Sequence, residues 1–256
     1  MKKLIVFALA LALMVGAGSF FMQSLGSGRL GTLPFFQHPM PMRGMNFHAT
    51  GEITEVTRSL GKFDTLVVSG PGTVRIRRGS EASIRIKTNK DMLDKIDTSI
   101  KGPALVLGGF GVNIPSNIQY DLVVPTLNAI SIAGSGDVIV QDELTGTDLR
   151  IDIGGSGSVE LGVTIGKLSV NIAGSGDIKV NGKADKIDVK MVGSGDLNAS
   201  DLNGKQGVIA ILGSGDVNVG TYESIDAMIA GSGNVTYRGS PRIKSATPGS
   251  GRLLSR

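Results

Sequence analysis

Between residues 126 and 237 the chain alternates apolar and polar side chains in short runs, and the runs come in pairs around a recurring triplet, Gly-Ser-Gly. The triplet stands at Gly134-Ser135-Gly136, Gly155-Ser156-Gly157, Gly174-Ser175-Gly176, Gly193-Ser194-Gly195, Gly213-Ser214-Gly215 and Gly231-Ser232-Gly233, in steps of 21, 19, 19, 20 and 18 residues. Alternate residues of a strand share a face, so aligning the six units on the triplet predicts which side chains point inward. Two and four positions before the first glycine lie pairs such as Ile132 and Ile130, Ile172 and Val170, or Ile211 and Ile209. Two and four after the last lie Val138 and Val140, Ile178 and Val180, or Val217 and Val219. A fifth apolar column follows seven or eight residues past the last glycine, at Leu144, Ile165, Ala184, Leu202 and Tyr222. The positions in between, including Asp152, Lys190, Ala210 and Met228 on one side and Glu160, Lys179 and Asn198 on the other, are predicted to face solvent.

Self-similarity at about 20 residues marks a stacked solenoid, because no single unit can bury its own apolar side. Two short strands, a tight Gly-Ser-Gly corner and a looser return through Gly162, Gly182, Gly204 or Gly220 make one coil of a single-stranded parallel β-helix, an all-β fold. The returns hold no long amphipathic helix, which excludes a doubly wound α/β sheet. Six regular coils are expected over residues 126–240.

Upstream, Leu66 and Val68 precede Gly70-Pro71-Gly72, and Val74 and Ile76 follow it, the same plan with proline in the corner. Residues 62–125 therefore read as degenerate N-terminal coils or a cap, with the 64 residues from Gly70 to Gly134 close to three repeat lengths. Residues 241–256 read as a charged C-terminal cap and tail in which Gly249-Ser250-Gly251 is a decayed seventh triplet. Residues 23–61 show no sustained period and read as a flexible Gly/Pro/Met linker. Residues 1–22, with Lys2-Lys3 ahead of the apolar run Leu4 to Val15, read as a signal peptide or, uncleaved, a signal anchor. The expected location is outside the cytoplasm: periplasm, outer membrane surface or extracellular space. Membrane attachment is expected only through that anchor.

Composition narrows the function more by exclusion than by assignment. Cysteine is absent and both histidines fall in the linker, so the repeats hold no thiolate nucleophile and no nucleophile–His–acid triad. The net charge of +4 is spread among acidic residues without a basic stripe, which argues against nucleic acid. The glycine-rich stretch Gly108 to Pro115 leads into a strand and not a helix, so it does not make a phosphate cradle. With tyrosine only at 120, 222 and 237 and no tryptophan, the chain has few aromatic side chains for stacking against sugars. It reads as a non-enzyme without a required cofactor.

Two candidate metal sites remain. Asp137, Asp177, Asp196 and Asp216 follow their triplets, with Ser158 and Asn234 at the equivalent positions. A cation such as calcium could bridge that column, but Asp, Asn and Ser share turn chemistry without sharing charge, which favours corner hydrogen bonds. His38, Met40, Met42, Met45 and His48 fall within eleven residues, a thioether and imidazole set suited to copper(I). A chance clustering of composition in an apolar linker is the simpler explanation, since no supporting scaffold for a metal can be inferred there.

The repeated units of the form Ile-x-Ile-Ala-Gly-Ser-Gly-Asp-Val/Ile-x-Val, the opening Phe63-Asp64-Thr65-Leu66-Val67-Val68 and the approach Val123-Val124-Pro125-Thr126-Leu127 resemble the bacterial auto-transporter adhesin head, GIN domain family, from about Phe63 to Arg242. The resemblance implies a parallel β-helix on an exported protein and brings no catalytic or binding residues with it. The expected function is a non-catalytic envelope module that contacts a protein or glycan. The alternatives are a stiff spacer or a carbohydrate-active β-helix. A contiguous apolar patch on one solvent face would separate an interaction module from a spacer, which needs none.

Overall fold

The computed structural model describes residues 52–108 and 117–256. Nineteen strands follow one another: β1 (Ile53–Ser59), β2 (Thr65–Ser69), β3 (Thr73–Arg78), β4 (Ser83–Asn89), β5 (Ile100–Lys101), β6 (Ala104–Gly108), β7 (Gln119–Val124), β8 (Ala129–Gly134), β9 (Asp137–Val140), β10 (Leu144–Gly155), β11 (Ser158–Gly174), β12 (Asp177–Gly193), β13 (Leu197–Asn203), β14 (Gln206–Gly213), β15 (Val217–Thr221), β16 (Ser224–Gly231), β17 (Val235–Arg238), β18 (Arg242–Ala246) and β19 (Leu253–Ser255). All but β1, β4 and β5, which pair antiparallel, stack as a parallel β-solenoid. The first face, leading into the corners, runs β6, β2, β8, then the second halves of β10, β11 and β12, then β14, β16 and β18. The second face, leaving the corners, runs β7, β3, β9, the first halves of β11 and β12, then β13, β15, β17 and β19.

Register is set by the corners. Gly155, Gly174 and Gly193 are direct Cα partners along the stack, as are Gly193, Gly213 and Gly231. At Gly174 the backbone has φ +130°, and an added Cβ would stand 2.5 Å from the Gly155 carbonyl oxygen, so a side chain there collides with the coil beneath. The serine amides tie successive corners: Ser175 donates to the Gly155 carbonyl at 2.9 Å and Ser194 to Gly174 at 2.9 Å.

The predicted columns form the core. Ile130, Ile151, Val170, Val189 and Ile211 are 0% exposed, and the fifth column is buried from Leu144 to Tyr222. A further inward column, Leu149, Leu168, Ile187 and Ile225, lies six positions before the first glycine, beyond the two pairs that flank the triplet. The side predicted as a loose return is itself a ladder in the middle coils, where Val163 pairs with Gly182 and Ile165 with Ala184.

Three differences concern the ends. Gly70 and Gly134 are not three coils apart: β2 pairs directly with β8, Ser69 opposite Ala133, and the intervening chain places β6 and β7 on the outer side of β2 and β3. The cap is completed by antiparallel strands, β4 against β7 and β1 against β4. Thus the last residues of the expected linker, Ile53–Ser59, form an edge strand. Their half-exposed alternation is what an edge requires and lacks the long apolar signal of a core strand. A short 3-10 turn over Lys90–Lys95 adds buried Met92 to this cap. Near it, burial pulls the Asp97 carboxyl upward, but hydrogen bonds from Ser99 and the charge of Lys101 outweigh it and hold it below the usual carboxylate range. At the other end, residues 241–256 form a seventh coil instead of a cap. Here β18 pairs with β16, β19 pairs with β17, and the Ser250 amide donates to the Gly231 carbonyl at 2.8 Å.

Candidate functional site

The corner carboxylates form a ladder of hydrogen bonds between coils. Asp177 Oδ1 accepts the Asp196 amide at 3.1 Å, Asp196 Oδ1 the Asp216 amide at 2.9 Å, and Asp216 Oδ1 the Asn234 amide at 2.7 Å. Asn234 Oδ1 continues it to the Arg252 amide at 3.2 Å. In the earlier coils the amides of Ser158 and Asp177 go to the glycine carbonyls of Gly136 and Gly157, and Ser158 Oγ donates to Asp137 Oδ1 at 2.5 Å. Turn chemistry alone predicts such bonds within each corner; the structure places them one coil on, because the stacking distance brings the next amide within reach. Among the described residues no group of three or more His, Asp or Glu side chains is gathered tightly enough to hold a metal ion. His38, Met40, Met42, Met45 and His48 lie outside the described residues.

A wide polar depression of about 760 Å³ lies where β3, β7 and β9 end, lined by Arg78, Pro125, Asp142, Glu143 and Thr145 among others. Its polar groups satisfy one another: the Arg78 amide donates to Asp142 Oδ2 at 2.7 Å, and Arg78 Nη1 donates to Thr145 Oγ1 at 3.2 Å.

The two solvent faces differ in chemistry. Outward positions of the second face run through Arg85, Asp121, Arg75, Ile139, Glu160, Lys179, Asn198 and Asn218, neighbours in register. Lys179 Nζ meets Glu160 Oε1 at 2.7 Å, and that hydrogen bond holds the ammonium above its ordinary pKa. The first face carries the same kind of mixture toward the N-terminus, where Arg150 and Asp152 pair at 2.6 Å. It then turns aliphatic over the last coils. Val192 is 55% exposed, Leu212 47% and Met228 46%.

These three belong to one patch. Val192 is the Cα partner of Leu212, Leu212 of Ala230, and Ala210 of Met228, which is in turn the partner of Ala246. Alternation predicts Ala210 and Met228 in solvent, but the column immediately before the triplet gives no signal of its own. Its Ala133, Gly154 and Ala173 look unremarkable, and only stacking brings Val192 and Leu212 together. A depression of about 270 Å³ opens along β14, β16 and β18, lined by Ser224, Asp226, Arg242 and Lys244 and by the inward-column residues Ile225 and Ile243.

Residues 62–241 match the family model described as "Putative auto-transporter adhesin, head GIN domain". The chain belongs to this family. The GIN domain's fold is also that of solved relatives. A protein from Bacteroides fragilis described as a putative adhesin is 27% identical, with a TM-score of 0.76 over 81% of this chain and 99% of its own. Two proteins from Parabacteroides distasonis share the fold at lower identity. One, described as a putative lipid binding protein, is 21% identical with a TM-score of 0.68 over 81% of this chain and 98% of its own. The other, described as a putative adhesin, is 22% identical with a TM-score of 0.67 over the same shares. No curated protein matches this GIN-domain chain. Among the described residues, no helix is long and apolar enough to cross a membrane.

Proposed function

We propose that this GIN domain is a non-catalytic binding module of the cell envelope, exported by its N-terminal segment, which holds its partner on the aliphatic end of the first face. The observation that carries this reading is the register-aligned patch of exposed Val192, Leu212 and Met228 around half-buried Ala210. A spacer needs no such surface, since its solvent faces are selected only for solubility. The family's adhesin description and the similar Bacteroides adhesin support a contact role. The patch contains no aromatic side chain to stack on a sugar ring, so its chemistry favours a protein surface over a glycan or a carbohydrate-active groove.

The test is binding of the purified chain to intact cells and to their isolated envelope fraction. Leu212→Lys places a charge at the centre of the patch without touching the core and is expected to lower binding at least tenfold while leaving the unfolding midpoint unchanged. Equal binding by the variant would overturn the assignment of this face. Anionic and zwitterionic vesicles serve as controls, given the similar Parabacteroides protein described as lipid-binding.

A further inference from the structure

We propose that the partner seated on this patch is a second copy of the chain, docked first face to first face about a two-fold axis. The proposal rests on the reading of that face as a contact surface and names its occupant.

Size is the first argument. Eight stacked strands from β2 to β18 at ~4.8 Å spacing, each presenting about seven residues at ~3.3 Å, give the face roughly 780 Å². A standard interface takes about 800 Å² from each partner. The aliphatic patch alone is too small for a stable complex, but it would form the dry centre of an interface whose polar rim is the rest of the face, the usual anatomy of such contacts.

Charge is the second. The rim carries both signs in neighbouring positions, with Lys167 facing Asp188 at 3.9 Å and Lys244 facing Asp226 at 3.5 Å. A surface of this kind has little to attract a polyanion or an anionic membrane, and it can meet its own image without a large single-sign field.

Shape is the third. The face carries protruding side chains, Met228 and Leu212, next to the small side chains of their register partners Ala210, Ala246 and Ala230. Ala210 and Ala246 flank Met228 on the neighbouring coils and Ala230 flanks Leu212, each ~4.8 Å away across the ladder. In an isologous pair each copy's projections can pack over the other's alanines, since residue i then contacts j and j contacts i. Two flat sheet faces packed at ~10 Å provide the frame for that exchange.

The experiment is sedimentation equilibrium of the full chain from about 1 to 200 μM, with Met228→Lys, Leu212→Lys and, on the side away from the patch, Lys183→Glu. Wild type and Lys183→Glu are expected to shift from monomer to dimer across this range. Met228→Lys and Leu212→Lys are expected to remain monomeric, at least 30-fold weaker in association, with unchanged circular dichroism and unfolding midpoint. A wild type that stays monomeric at 200 μM overturns the proposal. So does association that persists in both patch variants, which would trace it to another surface. If wild type is monomeric yet Leu212→Lys loses envelope binding, the second copy is refuted while the contact face stands; if binding is also unaffected, both fall.

Discussion

Glycine in this chain serves two opposite roles, and two substitutions separate them. At Gly174 the positive φ and the Gly155 carbonyl 2.5 Å from an added Cβ leave no place for a methyl group. Gly174→Ala is expected to cost on the order of 3 kcal/mol through strain and displacement of the adjoining coil. Gly207 lies at an inward position without positive φ, and an added Cβ meets Ile225 and Ile187 at ordinary distances of 3.5 and 3.7 Å. Gly207→Ala is expected to stabilise by about 0.5–1 kcal/mol through the unfolded chain's lost freedom. Urea titration of the two variants reads both signs. The corner carboxylates allow a similar separation. Asp196→Asn keeps the oxygen that accepts the Asp216 amide and is expected to stay within about 0.5 kcal/mol of wild type, while Asp196→Ala loses about 1 kcal/mol. Unfolding midpoints in millimolar calcium and in chelator are expected to coincide for all three proteins; a calcium-dependent rise in wild type would instead assign the column to the ion.

At the scale of strands, the core is aliphatic except where a tyrosine interrupts a column. Tyr120 on β7 and Tyr222 after β15 are 1% and 2% exposed, and among the described residues neither hydroxyl has a hydrogen-bond partner. Burial pushes the Tyr120 pKa up to about 12 and raises that of Tyr222 as well. Unfolded tyrosines ionise near pH 10 while the folded ones keep their protons. Their contribution is therefore complete below about pH 10 and falls as pH rises toward the folded values, by about 1.4 kcal/mol per pH unit for each tyrosine. The unfolding free energy of wild type should decline above pH 10. Tyr120→Phe and Tyr222→Phe should each flatten that decline and raise stability at pH 7 by about 1 kcal/mol, since each removes a buried, unpaired hydroxyl. Strand positions were the most legible part of the chain because period-two alternation repeats with the corner: Ile130, Ile151 and Val170 announce one another. Edge strand β1 was not legible, since Ile53 and Val56 lie half in solvent and repeat nothing.

Across the whole molecule, what the sequence concealed is what depends on stacking order. The first-face patch is assembled from Val192, Leu212 and Met228, residues 16 to 36 positions apart, and none of them departs from its own unit's pattern. The cap was hidden for a related reason: β6 and β7 come after β2 and β3 in the chain but before them in the stack. That inversion bears on how the chain assembles when it emerges N-terminus first. Each regular coil closes onto its predecessor over about 19 residues, whereas bringing Ala133 to Ser69 closes 64. The entropic difference is about 1 kcal/mol by the logarithm of loop length alone, and the cap's antiparallel strands must be in place as well. Assembly therefore has a slow opening step that waits for roughly the first 140 residues, followed by quick additions of one coil at a time. As the chain emerges, those additions act as a ratchet: every coil that locks shortens the length free to unravel.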